Sequence, residues 1–263
     1  VFTIAPRINA AGRMKHAHNA VCLLIEESEL MAVKTANEIE AYNTERRAND
    51  QRIANEALAQ IKEQKEEESA STVVYHPKWH KGVIGIVASR LIETYYRPTV
   101  VFTKSNRRLA GSVRSVKGFD IYEALEACKE YIEQFGGHKY AAGLTIKEEN
   151  YTAFKEAFEK VVSETITEDQ KVEVIEIDAE LDFADITSGF NNILKQFEPF
   201  GPENMSPLFV TKNVMDRGYS KAVGSENEHL KLHMCTEKEK LSEMNGIAFK
   251  LGFHSEYVSK GLA

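Results

Sequence analysis

The 263-residue sequence predicts an α/β domain, preceded by one long helix and followed by a small domain of antiparallel strands. Three observations predict it. Apolar runs at 72–75 and 99–103 flank a helical segment that begins at Val83, a strand–helix–strand unit with parallel pairing. Ser28 is placed to cap a helix running to about Glu67, roughly 57 Å long at ~1.5 Å per residue. Short strands then recur at about 208–215, 218–223, 229–235 and 244–250.

Taken in order, residues 4–18 are rich in small side chains and read as an irregular loop. A short helix follows from about Asn19, with Val21, Leu24 and Ile25 apolar. The long helix is apolar near its ends (Leu30, Val33, Ile39; Ile53, Leu58, Ile61), whereas its middle, 43–52, offers only Ala48. A helix polar all round in mid-course is the pattern of one that crosses between domains. Ser69-Ala70-Ser71 breaks it, and Thr72–Tyr75 reads as a buried strand. In the helix from Val83, Gly85 and Ala88 are small enough for close packing on a sheet. Tyr95-Tyr96-Arg97-Pro98 ends it, and a strand at 107–113 delivers Arg114.

Ile121, Leu125, Cys128, Ile132 and Phe135 recur at spacings of four and three. They predict one amphipathic helix, capped by Asp120 and stopped by Gly136-Gly137. After Gly143 come a short strand and an acidic amphipathic helix, Glu148–Ser163, then a polar linker at 165–170. Ile175, Ile177, Ala179 and Leu181 alternate with acids as a half-exposed strand. A helix near Asp185–Phe197 leads to a turn-rich loop, 198–204. Leu230, Leu232 and Met234 share one strand face; His229, Lys231 and His233 share the other. Such strands suggest a small barrel, with the OB-fold among the candidates.

The net charge of −7 argues against a protein coated by nucleic acid. The charge is uneven, however. From Lys78 to Lys117 there are nine Lys/Arg against one acid, Glu93, and residues 1–20 carry Arg7, Arg13 and Lys15 without an acid. A basic zone on an acidic body fits either a nucleic-acid site confined to one groove or a solvated face. No apolar run approaches the ~20 residues of a membrane span, and no signal peptide is visible. Three well-separated cysteines (Cys22, Cys128, Cys235) fit free thiols in a reducing cytoplasm. Because the chain opens with Val1 and runs directly into a dense motif, it reads as the middle of a longer protein.

The chemistry concentrates in Ser112–Gly143. Ser112-Val113-Arg114-Ser115 offers a guanidinium and hydroxyls. Gly136-Gly137-His138 offers an imidazole and backbone N–H groups that glycine lets a ligand approach. Separately these are a surface arginine and a glycine turn; together they suit an anion with several oxygens, such as a phosphate. Trp79, flanked by Lys78, His80 and Lys81, serves either to stack a base or to anchor packing. The pairs His16/His18, His76/His80 and His229/His233 lack companion ligands, and neither a P-loop nor a nucleophile–base pair is recognisable.

Four segments carry a resemblance: 5–14 (APRINAAGRM), 79–91 (WHKGVIGIVASRL), 112–115 (SVRS) and Gly136-Gly137-His138 with Ala141-Ala142-Gly143. Through them the chain resembles the RecJ family, bacterial single-strand-specific 5′→3′ exonucleases of the Asp-His-His phosphoesterase superfamily. The loop 199–204 with Pro207 and Phe209 resembles the approach to that family's OB-type domain. The resemblance implies a remnant of the metal-binding phosphoesterase domain at 1–27 and a connecting helix at 28–68. It further implies a DHH-associated substrate-binding domain at 69–164 and part of an OB-type barrel at 171–263.

By the same resemblance, Ser112 and Arg114 bind a terminal 5′ phosphate, and Arg13 reaches it or its neighbour; Ser115 is a further phosphate-binding candidate. Gly137 and His138 then face the scissile phosphate, with His138 as a catalytic group, and Gly136 is a further phosphate-binding candidate. Read from charge and ring chemistry, not from the resemblance, Trp79, Lys78, Lys81, Arg107 and Arg108 are the candidate strand contacts. Mn²⁺ or Mg²⁺ would sit in a domain upstream, none on these residues. Single-stranded DNA would be the substrate, in repair and recombination, and a helicase or single-strand-binding protein a partner. The competing readings are a nanoRNA phosphodiesterase relative and a non-catalytic module that binds single strands or a protein.

Overall fold

The computed structural model describes residues 3–201, 203–236 and 243–259. It divides into two compact units, Val1–Glu173 and Val174–Ala263. Pro202, in the turn-rich loop, lies outside the described residues.

The first unit begins with a helix where the sequence pattern predicts a loop. Pro6 stands in the first turn of α1 (Ala5–Met14) and Arg13 in its last, the residue placement that helix ends favour. Its small residues are there to be buried: Ala10 and Ala11 are fully covered, Ala11 in a cluster with Ile39 of the third helix. α2 (His18–Ile25) and the 35-residue α3 (Glu29–Glu63) follow. The polar middle of α3 is mostly exposed, with Thr44, Glu45, Arg47, Ala48, Gln51 and Arg52 open to solvent. Asn43 and Asp50, 5% and 1% exposed, are buried within it through polar contacts that a hydropathy pattern does not register.

β1 (Thr72–Tyr75), α4 (Ile84–Thr94) and β2 (Thr99–Ser105) form the expected parallel unit. β3 (Arg108–Arg114) then turns back antiparallel to β2. The helix expected over 121–135 is only α5 (Ile121–Ala127), capped by the Asp120 carboxylate accepting from the Tyr122 and Glu123 N–H groups. A single 3₁₀ turn follows, and Ile132–His138 is a strand, β4, hairpinned to β5 (Ala141–Ile146). The apolar spacing misleads because the ladder slips between Ile132 and Gln134. An extra residue in a strand lets positions three apart face the same side, so Ile132 and Phe135 both meet the core as they would on a helix. α6 (Tyr151–Thr165) completes the unit.

The five-stranded sheet has the order β1-β2-β3-β5-β4. One face is covered by α5 and α6, where Phe102, Phe154 and Phe158 are fully buried. Each such side chain contributes roughly 1.5–3 kcal/mol by leaving water. The other face is packed by α3 and α4 around Val74 and Val101, but only over β1–β3. β4 and most of that face of β5 stay open to solvent.

The second unit pairs β6 (Ala179–Glu180) in parallel with β7 (Phe209–Val210) and carries α7 (Ser188–Leu194) between them. Most of the strand expected over 175–181 is absent, and Ile175 and Ile177 are exposed, because the partner strand is two residues long. β8 (Val214–Asp216) and β9 (Lys221–Val223) both pair β10 (His229–Thr236), which also pairs β11 (Glu243–Ala248). Leu230, Leu232 and Met234 line an apolar hollow with Val214, Leu251 and Tyr257, the last from the short helix α8 (Ser255–Ser259). The sheet is a partial OB-type arrangement, not a closed barrel.

All three cysteines are free thiols. Burial pushes the Cys128 thiol up to about 11, and Cys235 is 3% exposed. At pH 8 a thiol-directed reagent should therefore modify one cysteine, the half-buried Cys22, in the native protein and all three after denaturation. Titration of released chromophore with and without denaturant checks this.

Candidate nucleic-acid interface

The half-covered sheet positions the polar motifs. Directly opposed residues of paired strands point to the same side, and the registers give two rows across β3, β5 and β4. One row is Arg114–Ala141–His138; the next is Ser112–Gly143–Gly136. The guanidinium and the imidazole thus rise from the same face, two strand spacings or about 9.5 Å apart at the backbone. Between and beside them the sheet carries only Ala141, Gly143 and Gly136, so its backbone can be approached closely. His138 Nδ1 accepts from the Tyr140 N–H at 3.4 Å, which leaves Nε2 as an outward donor.

α4 forms the wall on the β3 side. A Cβ added at Gly85 would lie 2.9 Å from Ser112 Oγ and 3.1 Å from Arg114 Nη2, so the glycine lets those groups reach the helix. Ser89, one turn on and exposed, donates to the Gly85 carbonyl at 3.3 Å. At the approach to α4, Arg13 Nη1 donates to the Gly82 carbonyl at 3.3 Å, and a Cβ at Gly82 would sit 2.0 Å from the Arg13 carbonyl oxygen. Arg114 Nη1 donates to the Val113 carbonyl at 2.7 Å. Burial, and then the nearby Arg13 charge, hold the Arg114 guanidinium below its ordinary value. The half-buried Arg114 and the exposed Arg13 repel each other, and a shared anion would relieve that repulsion. Alongside, a groove of about 390 Å³ is lined by Lys81, Gln134, Gly136, Gly143 and Thr145.

Arg13, Ser112, Arg114, Gly136, His138 and Lys81 therefore gather around one open face, and Lys78 lies exposed in the loop before α4. The remaining candidates lie elsewhere. Trp79 is 4% exposed in the core, where its Nε1–H donates to Glu56 at 2.7 Å; it is the packing anchor, and its ring is not available to stack a base. The Ser115 hydroxyl donates to the Phe119 carbonyl at 2.9 Å and closes a turn. Gly137 falls in the row with Ala142 and Val113, which faces α5 and α6. Arg107 and Arg108 stand at the far end of β3, about 20 Å from Arg114, and Arg108 is paired with Glu133.

The basic run 78–117 is divided in the same way. Arg97 is buried and donates to the carbonyls of Glu66, Glu67 and Ser69 and to Thr72 Oγ1, tying the end of α3 to β1. Arg90 pairs with Asp50, and Lys104 with Glu148. Gly85 and Ser89 carry no charge or motif that marks them in sequence; their one signal is a small–small pair at i, i+4 opening toward a basic strand end.

Among the described residues no three His, Cys, Asp or Glu side chains gather as metal ligands. The ring nitrogens of His76, His80 and His229 accept from the N–H groups of Lys78, Gly82 and Lys250. These residues do not supply a set for Mn²⁺ or Mg²⁺. No described helix is long and apolar enough to cross a membrane.

Two family models match: the DHHA1 domain over residues 68–164 and the RecJ OB domain over 177–262. A Bacillus subtilis relative, single-stranded-DNA-specific exonuclease RecJ, is 32% identical over 99% of this chain and 33% of its own length. RecJ from Thermus thermophilus, crystallised in complex with Mn²⁺, superposes with a TM-score of 0.77 at 27% identity over 94% of this chain and 37% of that one. Its Mg²⁺ complex gives a TM-score of 0.75 at 25% identity, over 94% of this chain and 41% of that one. The chain thus spans well under half the length of these relatives.

Proposed function

We propose that this chain, which belongs to the RecJ family through its DHHA1 and RecJ OB domains, is the substrate-gripping part of a single-strand-specific 5′→3′ exonuclease. The observation that carries the reading is the pair of rows Arg114–Ala141–His138 and Ser112–Gly143–Gly136 on the uncovered half of the sheet. Arg114, Ser112 and Arg13 would hold the terminal 5′ phosphate by charge-assisted hydrogen bonds. His138 would donate from Nε2 to a phosphate one step along, stabilising charge that develops there. The glycine floor admits the sugar–phosphate backbone without a clash, and Lys81 adds sequence-independent attraction.

The divalent ion that activates water in such enzymes would be held by a part of the protein outside the described residues. DNA repair and recombination are the setting, with a helicase or a single-strand-binding protein supplying the strand. The test is an assay on 5′-phosphorylated single strands with Mn²⁺. The 263-residue chain should bind the strand and release no mononucleotide. Release would mean that the ion is held by these residues after all. No binding would remove the gripping role.

A further inference from the structure

The groove beside the phosphate corner, about 390 Å³ in volume, extends past Gly136 and Gly143 to Gln134, Thr145 and Ala110, with Lys81 on its α4 side. Those three residues form the next row of the sheet. Ala110 of β3 opposes Thr145 of β5, which opposes Gln134 of β4. The row lies two residues along the strands from Ser112, Gly143 and Gly136, about 6.8 Å further on and on the same side. Gln134 is exposed and Thr145 half-buried, and among the described residues neither side chain has a hydrogen-bond partner.

The ladder slip decides which side chain stands there. Ile132 opposes Ile146 and Gln134 opposes Thr145, so Glu133 is the extra residue between them. In an unbroken ladder Glu133 would oppose Thr145 on the open face, and Gln134 would oppose Leu144 on the core face. The slip instead turns Glu133 aside, where it pairs with Arg108 of β3, and gives the groove a neutral amide. A carboxylate in that place would repel a phosphate held nearby; an amide does not. The amide also offers what an acid lacks. Its NH₂ and C=O stand side by side and exchange places by a half-turn of the last torsion, and the Thr145 hydroxyl turns to donate or to accept. Such a pair meets the edge of any nucleobase, since every base presents donors or acceptors there in some order.

We propose that this groove seats the base of the 5′-terminal nucleotide, whose edge is hydrogen-bonded by the Gln134 amide and the Thr145 hydroxyl. The proposal rests on the reading that Ser112 and Arg114 hold the terminal phosphate. From Ser112 to Thr145 is one strand across and two residues along, about 8 Å at the backbone, which is the reach of a nucleotide from its 5′ phosphate to its base. The sugar then lies over Gly143 and Gly136, and its 3′ oxygen leads back to the phosphate at His138. The site demands a base without choosing among bases, as a strand end of arbitrary sequence requires. Its ligand class is a nucleoside 5′-phosphate at the end of a single strand.

The test titrates the 263-residue chain and its Q134A, Q134E, T145V and R114A variants by calorimetry, with melting curves as fold controls. The ligands are pTpT, its analogue with an abasic deoxyribose as first nucleoside, and the 5′-hydroxyl dinucleotide TpT. Wild type should bind pTpT about fivefold or more tighter than the abasic analogue, the effect of one to two neutral hydrogen bonds. Exchanging the first base for adenine, cytosine or guanine should move the affinity by less than about threefold. Q134A should bring the ratio of pTpT to abasic affinity within about twofold, through weaker binding of pTpT, and T145V should lower it in part. Q134E puts the acid back and should weaken both ligands, less so at high salt. Equal wild-type affinity for the two ligands, or a Q134A ratio equal to that of wild type, would overturn the base site. R114A tests the underlying reading separately. If that variant still prefers pTpT over TpT as wild type does, the terminal-phosphate reading falls, while the Q134A ratio still decides the base site. If T145V melts early, Q134A, at an exposed position, decides alone.

Discussion

Replacing Arg114 by alanine should lower the affinity for a 5′-phosphorylated single strand by roughly ten- to hundredfold while leaving the 5′-hydroxyl strand nearly unaffected. The size follows from what is lost: one charge-assisted hydrogen bond at a half-buried position, worth ~1.5–3 kcal/mol. The selectivity follows from geometry. Arg114 is the last residue of β3, where the strand meets the wall of α4, and Ser112 lies two residues back on the same face. Only the end group of a strand brings the extra negative charge that this corner lacks. The substitution should also relieve the repulsion between Arg114 and Arg13, so the melting temperature should hold or rise slightly. Fluorescence anisotropy on the two labelled strands, with a melting curve beside it, measures both effects. Equal weakening of both strands would make Arg114 a general backbone contact.

The same corner shows how much of the site can be read from residue order alone. Ser112, Arg114, Gly136 and His138 stand out as chemistry, and they do share a face. The scaffold between them differs in kind from the expected one. The apolar pattern predicts a helix with a motif at each end, whereas the structure joins the motifs by cross-strand register through β5. Pattern reading fails at one residue: the ladder slip beside Ile132, which gives a strand the apolar spacing of a helix. The parallel β1–α4–β2 unit is legible because its two strands are short, apolar and separated by a strongly one-sided helix. Within the middle of α3, buried Asn43 and Asp50 are not legible, since a polar residue buried with a polar partner, as Asp50 is with Arg90, looks in sequence like its neighbours in water. Trp79 shows the converse. Its basic neighbours suggest a nucleic-acid contact, yet the indole is spent on Glu56 and the core.

Substituting the two neighbouring glycines should separate folding from binding, because they sit on opposite faces of β4. A Cβ at Gly137 would lie 2.3 Å from the Ala141 carbonyl oxygen and 2.5 Å from the Ala142 Cα, and its φ of +155° is one that side chains rarely adopt. Those obstacles are backbone, so the β4–β5 hairpin itself must shift; Gly137→Ala should cost about 1–3 kcal/mol or more and lower the melting temperature by several degrees. At Gly136 nothing lies within 4 Å of the same added atom, and the position faces the open floor between Ser112 and His138. Gly136→Ala should therefore melt like wild type, yet weaken single-strand binding severalfold by standing a methyl group where a nucleotide backbone would lie. A Gly136→Ala variant that binds normally would show that the strand does not cross this floor. Loss of stability at Gly136 with none at Gly137 would mean that the faces of β4 are assigned the wrong way round.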